Sequence, residues 1–239
     1  MTSTGNNGRL GNHIIRNLAV SLLAEKHDLK VRYFNHSLIK RLGIELHCGR
    51  KAYARTQELT DENYMTIYHA DPIHYNLDPN QHFFQTKDIT RLIHQHLHEE
   101  KVKSRVIVKN PFQGRYHTNN DVFLHLRLTD VAHYHPGIAY YRNGLKDIAF
   151  DTMYVSTDDP HHPMVRELLG HPSAKLLDYD EITTFQFAST CKHVMLSHGS
   201  FSAIIGYLSF FSTVYYPAYE EGKVWYGDMF SIDGWRHCA

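Results

Sequence analysis

The amino-acid sequence predicts an α/β fold, in which helices and strands alternate along the chain. Short apolar runs bounded by turn residues alternate with segments of helical period, most clearly in the second half. The hydrophobic fraction of 42% and the charged fraction of 21% are typical of a chain that builds a core. A length of 239 residues allows one domain or two small ones.

The first half predicts two helices and two strands. Apolar residues recur with a helical period over residues 12–26, and again over 86–101. Residues 31–34 and 105–108 predict short strands. The polar, turn-rich residues 110–120 predict a boundary between an N-terminal lobe, residues 1–118, and a C-terminal lobe, residues 119–239.

The second half predicts a doubly wound sheet with helices between its strands. The predicted strands are 122–126, 153–156, 193–197 and 214–216. The predicted helices are 140–148, 164–169, 185–191 and 203–210. Such a sheet is typical of a nucleotide-binding lobe.

Charge and composition indicate the kind of partner and compartment. Lys plus Arg and Asp plus Glu both total 25, so we expect no nucleic-acid partner. Three cysteines are too few for a disulfide framework, which favours a reducing, cytoplasmic location. The apolar residues 201–219 include serine, glycine and proline, so we expect a buried helix followed by a strand and no membrane span. The chain is also compatible with a piece of a longer, multidomain protein.

The segment Gly8-Arg9-Leu10-Gly11-Asn12-His13 precedes the first predicted helix. Glycines there allow close backbone approach and leave amide donors free at the helix start. The glycine spacing differs from the dinucleotide fingerprint, and an ordinary loop with Asn12 as N-cap is the alternative.

Two predicted strands end in charged residues. Alternation along residues 122–126 and beyond places His125 and Arg127 on one face, and an arginine there can grip a pyrophosphate. A structural pair between Arg127 and Asp130 is the alternative. Asp158 and Asp159 suggest contacts to a base or ribose, or a metal site, although adjacent carboxylates rarely hold Mg²⁺ alone. The alternative is a turn, which Asp-Asp-Pro favours.

A third strand end, Ser197-His198-Gly199-Ser200-Phe201-Ser202, leads into an apolar helix. Hydroxyl groups and amides at a helix N-terminus form a phosphate cradle, whereas N-capping by Ser200 is the alternative. His94, His96 and His98 lie on one predicted helix. Zinc binding by His94 and His98 is possible in principle, but a solvated helix face is the better interpretation.

In their order along the chain, these segments resemble the α-1,2-fucosyltransferase family and its α-1,6- and protein O-fucosyltransferase relatives. The segments that carry the resemblance are GRLGNHIIRNLAVSLLAEKHDL, HFFQTKDITRLI, FLHLRLTD, YVSTDDP and FASTCKHVMLSHGSFSAIIGYL. The chain departs from the family pattern at Leu128 and Thr129, where the family has arginine and glycine, and at Ala203 and Ile204, where it has tryptophans. Almost no sequence precedes Gly8, where the family has a first strand.

The resemblance implies a GT-B-type glycosyltransferase, with two Rossmann-like lobes and a cleft between them. It implies inverting, metal-independent transfer of a 6-deoxyhexose, most simply fucose from GDP-fucose, to a glycan hydroxyl, without a cofactor. Arg127, Asp130 and His13 are then the candidate catalytic residues. The implied donor-binding residues are Arg9, Asn12, His125, Arg127, Asp158, Asp159, Ser200, Phe201 and Ser202.

Two other functions stay open at this point. A transferase of the same fold with another donor, such as UDP- or dTDP-rhamnose, is favoured by the departures from the family pattern. A nucleotide- or glycan-binding module without catalysis is the second. The retained Arg127, serines and aspartates favour an enzyme over such a module.

Overall fold

The computed structural model describes residues 1–130 and 132–238, without the side chain of Ala132. The chain divides into two compact units, one formed by residues 1–106 and 226–229 and the other by residues 107–225 and 230–239. Residues 107–118, assigned to the N-terminal lobe from the sequence, cluster with the second unit. The lobe boundary at 118/119 stays a prediction.

The first unit is mainly helical, with short strands. Its strands are β1 Thr2–Ser3, β2 Val31–Arg32, β3 Thr56–Glu58 and β4 Asn76–Asp78. Its helices are α1 Leu10–His27, α2 His36–Arg41, α3 Tyr64–His69, α4 Lys87–His98 and most of α5 Glu100–Lys109. Within the described residues, β1 pairs only with β2 and β3 only with β4, both in parallel. These strands form two separate two-stranded sheets, so a Rossmann-like sheet in this part of the chain stays a prediction.

Helix α1 is the centre of the first unit. The helix predicted over 12–26 is confirmed and is slightly longer, and all but three of its eighteen residues are buried. A helix with so little polar face must be surrounded by other elements. It ends at Asp28, whose φ of 56° is the left-handed conformation that commonly terminates helices.

The strand predicted over residues 105–108 is wrong, because these residues belong to α5. The run Arg-Val-Ile-Val suggested a strand through its β-branched residues. Val102 and Val106, four residues apart, are the buried residues of the helix, whereas Val108 is 67% exposed. Helical spacing of the buried valines therefore outweighs β-propensity here.

The second unit is a six-stranded parallel sheet with helices between its strands, which confirms the predicted α/β class. Its strands are β5 Val122–Leu126, β6 Met153–Thr157, β7 Ala174–Leu176, β8 His193–Met195, β9 Thr213–Pro217 and β10 Arg236–Cys238. Its helices are α6 Ile138–Lys146, α7 Pro163–Leu169, α8 Glu181–Ala188 and α9 Ser200–Leu208. The strand order is β10-β9-β8-β5-β6-β7.

The sheet holds its helices through a continuous apolar core. All five residues of β5 are buried, and four of them are apolar, which is typical of a central parallel strand. One large cluster joins β5 and β6 to α6 and α7 through residues such as Leu124, Tyr141, Val155 and Val165.

The apolar stretch 201–219 forms most of α9 and all of β9, as predicted. Within the described residues, no helix combines the length and apolar character needed to cross a membrane. The three cysteines are all free thiols.

A buried asparagine fixes the entry into the second unit's sheet. Asn110 is 2% exposed and donates from Nδ2 to the Tyr116 hydroxyl (3.1 Å) and the Gln186 carbonyl (2.8 Å). Its Oδ1 accepts from the Phe112 amide at 2.9 Å. The side chain therefore satisfies groups on α8 and on the segment that precedes β5.

We predict that Asn110→Ala lowers the free energy of unfolding by about 1–3 kcal/mol, because buried partners lose their hydrogen bonds. Urea unfolding followed by circular dichroism measures the change. Gln113→Ala, at an exposed residue three positions later, is the matched control and should change stability by less than about 0.5 kcal/mol. Equal midpoints for the two variants would contradict the structural role of Asn110.

Candidate functional site

The order of strands in the second unit creates a crevice at one edge of the sheet. From β5 the chain adds β6 and β7 on one side, and then returns to add β8, β9 and β10 on the other. Strands β5 and β8 are thus neighbours whose following loops depart in opposite directions. In open α/β sheets ligands bind at this switch point, beyond the carboxyl ends of the strands. Arg127 follows β5 here, and the turn before α9 follows β8.

Arg127 lies at this edge and is already paired. Its guanidinium forms a two-pronged pair with Asp130, with Nε to Oδ1 at 3.0 Å and Nη2 to Oδ2 at 2.9 Å. Asp158 Oδ2 lies 3.5 Å from Nε. The Arg127 side chain is 17% exposed and that of Asp130 is 43% exposed. The structural pairing considered from the sequence is therefore present, and one cation faces two carboxylates.

The two aspartates after β6 have different positions. Asp158 reaches the segment after β5, where its Oδ1 accepts from the Leu128 amide at 2.7 Å and its Oδ2 from the Thr129 hydroxyl at 2.6 Å. Asp159 accepts from the His161 amide at 3.0 Å, within the Asp-Asp-Pro turn. Asp158 therefore ties the ends of two strands together, and Asp159 has the turn geometry that was its alternative interpretation.

The turn between β8 and α9 supplies backbone donors. Gly199 is the N-cap residue and its φ of 98° is a conformation that favours glycine. Ser200 is therefore the first helical residue and not the N-cap. The α9 N-terminus has no side-chain cap, so its first amides are directed outward with the positive end of the helix dipole.

His125 belongs to a buried network between β5 and α9. Its Nδ1 lies 2.6 Å from the Ser202 hydroxyl, which also accepts from the Ser197 amide at 2.9 Å. The Phe201 ring packs against the imidazole with centroids 5.1 Å apart. Burial lowers the pKa of His125 to about 4, so the ring is neutral at pH 7. Ser202, fully buried, uses its hydroxyl inside the fold.

Three further residues lie near this network, and of these only Tyr141 lies outside the segments singled out from the sequence. The Tyr141 hydroxyl donates to the His125 carbonyl at 2.7 Å, and the Ser197 hydroxyl lies 3.4 Å from the Arg127 amide. His198 is 8% exposed, and burial, followed by repulsion from His135, lowers its pKa to about 4. Tyr141 lies on α6 and carries no motif, so only the fold brings it to the site.

In the first unit, the glycine-rich turn precedes α1 as expected. Gly8 has a φ of 85°, and a β-carbon there would lie 2.4 Å from Asn12 Nδ2. Arg9, rather than Asn12, is the N-cap residue; it is exposed and makes no side-chain cap. Asn12 Oδ1 accepts from Gln85 Nε2 at 2.8 Å. Two of the segments that carry the resemblance are thereby brought together.

His13 has no ring nitrogen left for proton abstraction. Its Nε2 donates to the Asn6 carbonyl at 3.1 Å, and its Nδ1 accepts from Asn35 Nδ2 at 3.0 Å. The residue is 7% exposed. A histidine with both nitrogens engaged holds the turn in place, so its placement does not suit the general base that the sequence suggested.

Arg16, which sequence reasoning missed, braces the same turn. It is 1% exposed and donates from Nη2 to the Asn80 carbonyl at 2.8 Å. Burial lowers its pKa, and nearby Asp78 raises it. A second donation, from Nη1 to the Asn7 carbonyl at 3.5 Å, reaches the turn itself. Its position in the helical repeat of α1 resembles that of a surface residue, so the pattern gave no signal.

His94 and His98 of α4 contact each other, but the described residues around them supply no third metal ligand. The His94 and His98 rings are 3.9 Å apart between centroids, and burial lowers the pKa of His94 to about 4. Throughout residues 1–130 and 132–238, no group of three or more histidine, cysteine or acidic side chains is arranged to hold a metal ion.

No protein-family model matches the chain, and a search of curated proteins finds no significant relative. The fucosyltransferase resemblance therefore stays a prediction from the motifs. The structural features that bear on function are the switch point and the residues beside it, Arg127, Asp158 and the turn before α9.

We predict that His125 makes stability depend on pH below 6.5. Its folded pKa of about 4 is lower than the ordinary value of 6.5, so the unfolded chain binds the proton more readily and acid destabilises the fold. The contribution of neutral His125 to the free energy of unfolding is complete above pH 6.5. It is lost at about 1.4 kcal/mol per pH unit as the pH falls toward 4.

Urea unfolding of the wild type and His125→Gln at pH 7.0 and pH 5.0 measures this contribution. The stability deficit of the variant should shrink at pH 5.0, because the variant lacks the titrating ring. Asn110→Ala, which removes no titrating group, should show the same deficit at both pH values. A deficit for His125→Gln that is independent of pH would exclude the buried neutral imidazole.

Proposed function

We propose that the chain is a metal-independent glycosyltransferase of the GT-B type that transfers a 6-deoxyhexose, most simply fucose from GDP-fucose, to a glycan hydroxyl. The observation that carries the proposal is the convergence of Arg127, Asp158 and the uncapped α9 N-terminus at one switch point. The cation and the helix-end amides can bind the phosphates of a nucleoside diphosphate, and the carboxylate of Asp158 helps to hold the cation in place.

The α9 N-terminus is proposed to hold the diphosphate. Gly199 lacks a side chain and provides the turn into the helix, whose N-terminus contributes about half a positive charge. Ser200, at the first helical position and partly buried, adds a hydroxyl beside them. This arrangement does not need a metal ion to neutralise the phosphates.

Arg127 is proposed to neutralise the phosphate that leaves the sugar. Its bidentate geometry with Asp130 is also the geometry in which a guanidinium grips phosphate. Since two carboxylates already face this cation, the phosphate must compete with them. Asp130, the more exposed partner, is the one that can move away, whereas Asp158 is held by Leu128 and Thr129.

In the proposed reaction the acceptor hydroxyl attacks the anomeric carbon as the bond to the phosphate oxygen breaks. Asp130, released from Arg127, takes the hydroxyl proton, and the nucleoside diphosphate leaves with its charge met by Arg127 and α9. The Ser202 hydroxyl is buried and does not reach the donor. It positions His125 and Ser197, which it contacts through hydrogen bonds.

We predict that Arg127→Ala abolishes transfer while the protein stays folded, with a barrier raised by about 2.7–4 kcal/mol. Arg127→Lys should recover only part of the rate, because an ammonium lacks the planar fork. The measurement is release of nucleoside diphosphate from GDP-fucose, UDP-rhamnose and dTDP-rhamnose in the presence of glycan acceptors. Arg142→Ala, which removes an exposed ion pair with Glu167 in the same unit, is the matched control. Wild-type turnover in Arg127→Ala would refute the proposed site.

We predict opposite effects of Asp130→Asn on binding and on transfer. Nucleoside diphosphate should bind at least about fivefold more tightly, roughly 1 kcal/mol, because a competing carboxylate is gone. Transfer should fall, because the proton acceptor is gone. Calorimetry and the release assay measure the two effects, with Glu167→Gln as the control for loss of an ion-paired carboxylate. Unchanged or weaker diphosphate binding would mean that Asp130 does not compete for Arg127.

A further inference from the structure

Two aromatic rings stand beside the turn that begins α9. Trp225, in the connection between β9 and β10, and Tyr134, after β5, have ring centroids 5.0 Å apart. Trp225 is 45% exposed, which is unusual for the largest apolar side chain. We call these two residues the aromatic wall. Neither belongs to a motif that the sequence singled out.

The aromatic wall directly borders the α9 N-terminus. A β-carbon on Gly199 would lie 3.3 Å from Trp225 Cζ2 and 3.7 Å from Cη2, so the six-membered ring of the indole lies over the glycine. Ser200, whose amide and hydroxyl belong to the proposed phosphate cradle, is the next residue. An exposed π-face and a set of anion donors are therefore within one residue of each other.

The connection between strands explains why both rings reach this place. Tyr134 follows β5 and Trp225 follows β9, and the carboxyl ends of these parallel strands lie at the same edge of the sheet as the turn after β8 that contains Gly199. His133 packs on Tyr134 with centroids 4.0 Å apart, which supports the tyrosine ring. The wall is thus built from two loops that leave the same edge of one sheet.

We propose that the aromatic wall stacks the nucleobase of the nucleotide donor. The proposal rests on the function proposed above and adds the residues that recognise the base. A nucleotide joins a planar ring to phosphates, and the crevice offers a ring surface next to phosphate donors. Stacking on an aromatic face tolerates any base, so this contact contributes affinity and leaves the choice of base to hydrogen bonds elsewhere.

Tryptophan fluorescence tests the contact directly, because the chain has only Trp225 and Trp235. In Trp235→Phe, Trp225 is the sole indole. GDP, UDP and dTDP, their nucleosides, inorganic pyrophosphate, and free fucose and rhamnose are titrated while emission is recorded. We expect the diphosphates and the nucleosides of the bound base to quench emission, and pyrophosphate and free sugars to leave it unchanged.

Calorimetry in the wild-type background provides a second measurement that does not depend on Trp235→Phe folding well. Trp225→Ala and Tyr134→Ala should each weaken nucleoside and nucleoside diphosphate binding roughly tenfold, and should leave pyrophosphate binding unchanged. Phe211→Ala is the matched control, since Phe211 is 39% exposed and precedes β9, at the opposite edge of the sheet. It should bind all ligands as the wild type does.

The possible results separate the two proposals. If the wild type binds a nucleotide and both wall variants bind it with the same affinity, the stacking proposal is overturned and the proposed function stands. Quenching by a free sugar alone assigns the wall to a sugar and also overturns it. Absence of binding by any nucleotide to the wild type removes the proposed function and the stacking proposal together.

Discussion

The second unit depends on the pairing of β5 with two parallel neighbours, β6 and β8. Because β5 is central and wholly buried, its direction fixes the direction of the rest of the sheet, and its carboxyl end fixes where the crevice opens. Leu126 ends the strand inside the core and Arg127 begins outside it. A displacement of the strand by one residue would carry Arg127 into the core or Leu126 out of it, so the burial of this strand also sets where Arg127 emerges.

At this crevice, the charges that stabilise the free protein are not the charges that favour phosphate binding. An unliganded arginine at a strand end is stabilised by carboxylates, whereas a phosphate site is weakened by them. In the structure Asp158 is anchored by two donors outside the ion pair, and Asp130 is the more exposed of the two carboxylates. The free protein and the proposed anion-bound protein then differ mainly in the position of the Asp130 side chain. In the free protein this side chain pairs with Arg127, and in the bound protein it gives up its place to the phosphate. The neutral state of buried His125 avoids adding a second cation that would need its own partner.

Sequence reasoning succeeded where a local pattern decides the structure. The mostly apolar run at 122–126 and the turn before α9 are set by neighbouring residues, and both were located closely.

Sequence reasoning failed where tertiary contacts decide the structure. Thr56–Glu58 is polar and exposed, so β3 left no apolar pattern, and 105–108 became helical because of Val102 and Val106. The contact of His125 with Ser202 joins residues 77 positions apart, which spacing alone does not reveal. Trp225 reaches Gly199 only through the path of a loop.

The register of β5 also bears on how the chain acquires its fold during synthesis. Val122 pairs with Met153 on one side and with His193 on the other. At translation rates of about 5–20 residues per second, the β8 side of β5 is without its partner for roughly 4–14 seconds after β5 is made. A mostly apolar strand with an open edge is prone to pair with other chains. During this interval β6 can pair only with the opposite edge of β5, so the β8 edge depends on transient shielding, for example by a chaperone.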